Sequence, residues 1–120
     1  MPPRGARRHR LAGTGVFEAL FRAGRRGDGA WVQVVAAPAR SVPGRVGFVI
    51  GKKALRNAVD RNRVRRVLRV AVARARPAIE AFDVILRLKR GCARHEVAAV
   101  AAEAAALLAA LVAAAGAGKA

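Results

Sequence analysis

An α+β fold is predicted for this chain, a single small domain in the order α-β-β-α-β-α around a small sheet. Three observations predict it. Short runs rich in Val, Ile and Phe alternate with longer segments whose apolar residues recur at helical spacing. Proline and glycine punctuate the joints between them. A length of 120 residues suits one domain with one modest core, large enough to need no metal or disulfide staple.

The elements follow in order. Residues 1–10 form a basic arm, residues 11–115 the domain, and residues 116–120 a tail. Gly15–Ala23 reads as a short helix, because Val16, Phe17, Leu20 and Phe21 fall on one face. Gly24–Gly29 reads as a basic, glycine-rich loop. Trp31–Ala37 is the first strand, stopped by Pro38, and Arg45–Gly51 is the second, after a turn at Ala39–Gly44. A long helix runs from Leu55 or Arg56 to Arg76, where Pro77 ends it. Phe82–Leu88 is the third strand. His95–Ala114 is an alanine-rich helix that Gly116 closes, with Val97, Val100, Leu107, Leu108 and Leu111 as its packing stripe.

Charge says more about partners than about fold. The chain carries 24 Lys+Arg against 7 Asp+Glu, a net charge of +17. The imbalance is local: residues 1–30 carry +5, residues 31–76 carry +11, and residues 77–120 only +1. A polyanion is therefore expected to meet the first two thirds of the chain. Arginine outnumbers lysine 20 to 4, which suits phosphate, although GC-rich coding would also raise arginine.

Composition excludes several chemistries. One cysteine, Cys92, allows neither an internal disulfide nor a cysteine zinc site. The two histidines, His9 and His95, lie far apart in sequence. Ser41 is the single serine and sits in a turn, so no Ser–His–Asp set is supported. No catalytic residue and no metal ligand is assigned. The segment 97–118 is the nearest thing to a membrane span; it is mostly alanine and carries Glu103, so it is read as a packed helix. With no secretory signal visible, a cytoplasmic location is expected.

The long helix carries the main signal. At about 100° per residue, Val64, Val67, Leu68, Ala71 and Ala75 fall on one stripe, with Val72 at its edge. Arg61, Asn62, Arg65, Arg66, Arg69 and Arg76 fall on another face. Arg56, Arg63 and Arg74 flank the apolar stripe on its far side. Solvated helix faces usually mix signs, whereas Arg61, Arg65 and Arg69 stack four apart with no acid between them. Such stacking costs the free helix a few tenths of a kcal/mol per pair, and a bound polyanion removes that cost. Nucleic acid is the expected partner; composition does not separate RNA from DNA.

Specific strings then matter. Arg45-Val46-Gly47 is followed by Lys52-Lys53 and by Arg61-Asn62-Arg63-Val64-Arg65-Arg66. Upstream stands Phe17-Glu18-Ala19-Leu20-Phe21-Arg22-Ala23-Gly24, after Arg10-Leu11; downstream stands Phe82-Asp83-Val84-Ile85. In this order the strings resemble the bacterial ribonuclease P protein subunit over residues 10–112. The resemblance implies a small mixed sheet with a left-handed β-α-β crossover, similar to domain IV of elongation factor G and to a ribosomal-protein domain. It also implies a function: assisting a catalytic RNA in endonucleolytic removal of the 5′ leader from precursor tRNA, by holding the leader and stabilising substrate and Mg²⁺ binding. The chemistry and the Mg²⁺ belong mainly to the RNA subunit, which fits a chain without catalytic residues. The implied partners are ribonuclease P RNA and precursor tRNA, with no membrane and no protein partner required.

Residue roles follow from the same resemblance. Lys52, Lys53, Asn57, Arg61, Asn62, Arg65, Arg66 and Arg69 are expected to meet the catalytic RNA. Phe17, Phe21, Trp31 and Lys89 are expected in a leader cleft between the first helix and one sheet face, although core packing is an open alternative for the aromatics. Arg63 points off the helix face. Gly51 departs from the family, which often has Ser or Ala before the lysine pair. A non-enzymatic, ribosomal-type RNA-binding protein is the alternative function.

Overall fold

A computed structural model describes residues 24–118, and for 115–118 the backbone alone. Four strands form one sheet: β1 (Arg25–Asp28), β2 (Val32–Pro38), β3 (Val46–Val49) and β4 (Phe82–Leu88). Two helices accompany them, α1 (Ala58–Arg74) and α2 (Val97–Gly118), with short 3₁₀ turns at Ala78–Ala81 and Arg94–Glu96. The sheet order is β1-β2-β4-β3; the β1–β2 and β2–β4 pairs are antiparallel and the β3–β4 pair is parallel. The α+β class and the mixed sheet are as expected. The short helix expected at Gly15–Ala23, with Phe17 and Phe21, lies outside the described residues.

One element differs in kind. Arg25–Asp28 is a strand, not the expected loop. Nothing in Arg-Arg-Gly-Asp favours a strand. Its partner supplies the order: Arg25 to Asp28 pair with Ala36 to Gln33. Gly27 lets the strand lie close to α2, where an added Cβ would come 3.3 Å from Leu107 Cδ2.

Boundaries differ in detail. β2 runs one residue past the expected strand, to Pro38. β3 is shorter than expected and is held at its start by Asp83, a buried carboxylate whose Oδ1 accepts from the Arg45 N–H at 2.8 Å. α1 begins later than expected because Asn57 caps it: the Asn57 Oδ1 accepts from the Val59 N–H at 2.8 Å. It ends at Arg74, so Arg76 stands beyond the helix rather than on its arginine face. α2 continues past Gly116 to Gly118.

Both helices pack on one face of the sheet. From α1 the core takes Val64, Leu68, Ala71 and Val72, and from α2 Val100, Ala104, Leu108 and Leu111. Val72 is therefore core, while Val67 is half-buried. These meet Val32, Val34, Ala36, Val46, Val84, Leu86 and Leu88 of the sheet. Full burial of each large aliphatic side chain stabilises the fold by about 1.5–3 kcal/mol. α2 is long and apolar enough to cross a membrane by length and composition. In this fold its buried stripe closes the core.

Glu103 does what no sequence pattern suggested. Its carboxylate accepts from three consecutive backbone N–H groups of the β1–β2 turn: Ala30, Trp31 at 2.8 Å and Val32 at 2.9 Å. The anchor reaches across 71 residues or more of sequence. Gly29 makes room for it, because a Cβ there would lie 2.2 Å from Glu103 Cδ.

Candidate nucleic-acid interface

α1 presents its arginine face away from the core. Asn62, Arg66 and Arg69 are exposed, and Arg61 and Arg65 are half-buried. Acid does not interrupt this face. Asp60, the acid of the first turn, pairs instead with Arg63 at 3.1 Å, on the flank. Arg63 thus points off the face as the helical wheel predicts. It lines a cleft of about 260 Å³ between the start of α1 and the loop before α2, together with Asp60, Arg94 and Cys92. Burial, with Glu96 and Asp60 adding to it, pushes the Cys92 thiol up.

The predicted interface residues divide by what already holds them. Arg65 donates from Nη1 to Asn62 Oδ1 at 3.0 Å, which orients the guanidinium without neutralising it. Asn57 uses its carbonyl oxygen as the helix cap. Arg61 turns back and donates from Nη1 to the carbonyls of Leu55 at 2.7 Å and Arg56 at 2.8 Å. Lys52, Lys53, Arg66 and Arg69 are exposed, and no described residue pairs with them. The two lysines sit in a turn closed by the N–H groups of Ala54 and Leu55, which both donate to the Gly51 carbonyl at 3.2 Å. Gly91, from the loop after β4, packs on the Ala54 carbonyl; a Cβ there would come within 2.4 Å of that oxygen. Helix face and lysine turn are joined through the link at Leu55 and Arg56, whose carbonyls Arg61 holds.

The other face of the sheet has a different character. Cross-strand register places Arg26, Val35, Ile85 and Gly47 in one row and Asp28, Gln33, Arg87 and Val49 in the next. Val35 and Ile85 are completely buried yet stand outside the main core. Arg26 and Arg87 are exposed. Gln33 Nε2 donates to Asp28 Oδ1 at 3.1 Å. Lys89 reaches the rim of this face, 3.4 Å from Asp28 Oδ1 and 3.1 Å from the Gly29 carbonyl. Trp31 does not join it: the ring packs against the main core with the Arg90 guanidinium 5.3 Å from its centroid. Sequence reasoning missed Arg26, Gln33 and Arg87. The alternation of β2 and β4 was the available signal, but it needed the pairing partner to show which residues share a row.

Gly51 stands in open space, with nothing within 4 Å of an added Cβ. Gly51→Ser is therefore expected to leave the melting temperature within about 2 °C, since surface substitutions stay within about 0.5 kcal/mol. It adds a hydroxyl beside the lysine turn, and RNA affinity should hold or rise modestly. Paired melting and filter-binding measurements check both.

The Ribonuclease P family model matches residues 6–112. The ribonuclease P protein component of Bordetella avium is 41% identical over 88 residues, covering 72% of this chain and 71% of that protein. That of Chromobacterium violaceum is 32% identical over 90 residues, covering 75% and 74%. The match to the Synechococcus protein is 42% over 65 residues and spans about half of each chain, 51% and 49%. Among solved structures, the Staphylococcus aureus RNase P protein superposes with a TM-score of 0.67 at 19% identity, over 89% of this chain and 94% of that one. The Thermotoga maritima protein gives 0.64 at 20%, over 87% and 96%. The structures share the fold, and the family model and the sequence relatives carry the assignment: the chain belongs to the bacterial ribonuclease P protein component family.

Proposed function

We propose that this chain, as the protein component of ribonuclease P, docks on the catalytic RNA through α1 and the lysine turn and holds the precursor-tRNA leader on the opposite sheet face. Assistance to 5′ processing of precursor tRNA, within an endoribonuclease holoenzyme, comes with the family. The observation that carries the docking surface is the acid-free arginine face of α1, whose Arg61 is hydrogen-bonded to the link that follows the lysine turn. Phosphate neutralisation there relieves the like-charge stacking and releases counterions.

The leader reading rests on the sheet face of Arg26, Gln33 and Arg87, with Lys89 at its rim. Arginines supply phosphate contacts, and Gln33 supplies a sequence-tolerant polar edge. Phe17 and Phe21 complete this proposal as base-stacking groups. The left-handed sense of the β3-α1-β4 crossover, the Mg²⁺ requirement, the cytoplasmic location and independence from protein partners belong to the same proposal. Mg²⁺ is assigned to the RNA, as the family resemblance implies.

Reconstitution tests the function. The pure chain, its cognate ribonuclease P RNA and a precursor tRNA are combined at low, near-physiological Mg²⁺. Cleavage at the mature 5′ end is expected to be strongly stimulated over RNA alone, and the chain alone is expected to cut nothing. Tight RNA binding without stimulation would overturn the docking and leader-holding roles proposed here.

A further inference from the structure

We propose that Arg61 is a positioning residue for the lysine turn, fixing Lys52 and Lys53 against the arginine face of α1 rather than contacting RNA itself. The proposal rests on the docking surface argued above. The family resemblance groups Arg61 with the RNA-contacting arginines, and the wheel places it on their face. Its guanidinium is nonetheless turned toward its own chain. Nη1 donates to the Leu55 carbonyl at 2.7 Å and to the Arg56 carbonyl at 2.8 Å, and the residue is half-buried. Both distances are short for N–H···O bonds, as charge-assisted bonds are.

The two carbonyls lie in the link between the lysine turn and α1. That link has no regular structure of its own, since the turn closes at Leu55 and the helix starts at Ala58. Leu55 is buried in the core, so its side chain pins one point. Asn57 pins the helix start through its cap. Arg61 bridges the two points from one turn inside the helix, and its backbone N–H also donates to the Asn57 carbonyl at 3.1 Å. The planar fork suits this task better than an ammonium, because it donates along fixed directions. Removal of the fork frees the link from Leu55 to Asn57, through which the lysine turn, itself closed on the Gly51 carbonyl, is set against α1. Holding the lysines in register with Arg66 and Arg69 lets one run of phosphates meet all four charges without a further loss of conformational freedom on binding.

A double-mutant cycle tests the proposal with the full chain and its cognate ribonuclease P RNA. Affinity is measured across a salt series for the wild type, Arg61→Ala, Lys52→Ala/Lys53→Ala, and the triple variant. Arg61→Ala is expected to weaken binding about tenfold and to flatten the dependence of log affinity on log salt. In the Lys52→Ala/Lys53→Ala background the same substitution is expected to change affinity less than twofold and the slope not at all, since nothing remains to be positioned. Equal losses in both backgrounds would show that Arg61 makes its own phosphate contact, and would overturn the proposal while leaving the docking surface intact. No loss from Lys52→Ala/Lys53→Ala would remove the lysines from the interface and the proposal with them. Arg61→Lys, which keeps the charge and loses the fork, runs in the same cycle. Near-wild-type affinity for it, as for any simple charge contact, counts against positioning, and a loss close to that of Arg61→Ala supports it. Circular dichroism melts place every variant below its unfolding temperature during binding, so coupling to the lysines is read separately from stability.

Discussion

Glu103→Ala is expected to lower the melting temperature by roughly 10–15 °C, from a loss of about 3 kcal/mol. The carboxylate accepts from the N–H groups of Ala30, Trp31 and Val32. Truncation leaves those donors without it. Water can reach the Ala30 N–H, which is exposed, but the bonds at Trp31 and Val32 are partly buried, and each such orphan costs about 1–3 kcal/mol. The bonds are charge-assisted, so Glu103→Gln keeps an acceptor but loses most of the strength, and should fall between wild type and alanine. Gly29→Ala approaches the same contact from the other side, because its Cβ would overlap the carboxylate. In a cycle, Gly29→Ala is expected to cost little once Glu103 is already alanine. Additive losses would mean that Gly29 serves the turn for another reason. Thermal melts followed by circular dichroism read the wild type and all four variants.

Arg66→Ala/Arg69→Ala is expected to weaken affinity for the cognate ribonuclease P RNA by about 30- to 100-fold, on the basis of about 1–1.4 kcal/mol net for each exposed arginine contact. Both arginines are exposed on α1, away from the core side chains Val64, Leu68, Ala71 and Val72. Folding stability should therefore move by less than about 0.5 kcal/mol, or rise slightly as like charges part. The slope of log affinity against log salt should shrink by about 1.4–1.8, since each of the two lost phosphate contacts removes about 0.7–0.9. The effect should hold across unrelated RNA sequences of the same shape, because phosphate contacts carry no sequence information. Unchanged affinity and slope would take the arginine face out of the interface.

Much of this surface was legible in the sequence, and the reason is geometric. A helix converts spacing into direction, so the run from Arg61 to Arg69 declares one basic face and one apolar face through residue spacing alone. The strands at Trp31–Ala37 and Phe82–Leu88 were legible because their β-branched residues are buried on both faces of the sheet. Three features were not. β1 depends on β2 and on Leu107 rather than on its own four residues. The neighbouring rows that carry Arg26, and Gln33 with Arg87, exist only once register is set. The roles of Glu103 and Arg61 are contacts between a side chain and distant or irregular backbone, for which a linear pattern has no period. Asn57 and Arg61 were identified as functional through their motif, yet the structure gives both an internal partner. A motif marks that a residue type is required without saying for which of two jobs.

The Glu103 anchor also sets an order of events during synthesis. The β1–β2 turn leaves the ribosome early, with its donors open, and the side chain that closes it arrives more than 70 residues later. A nascent chain therefore cannot complete the hairpin from local contacts, and the rows that carry Arg26 and Gln33 stay loosely held until translation has passed residue 103. Chains cut short of α2 would display most of the positive charge without the frame that aligns it. The basic residues thus gain their fixed frame only once α2 has been made, which separates merely cationic fragments from protein competent to assemble.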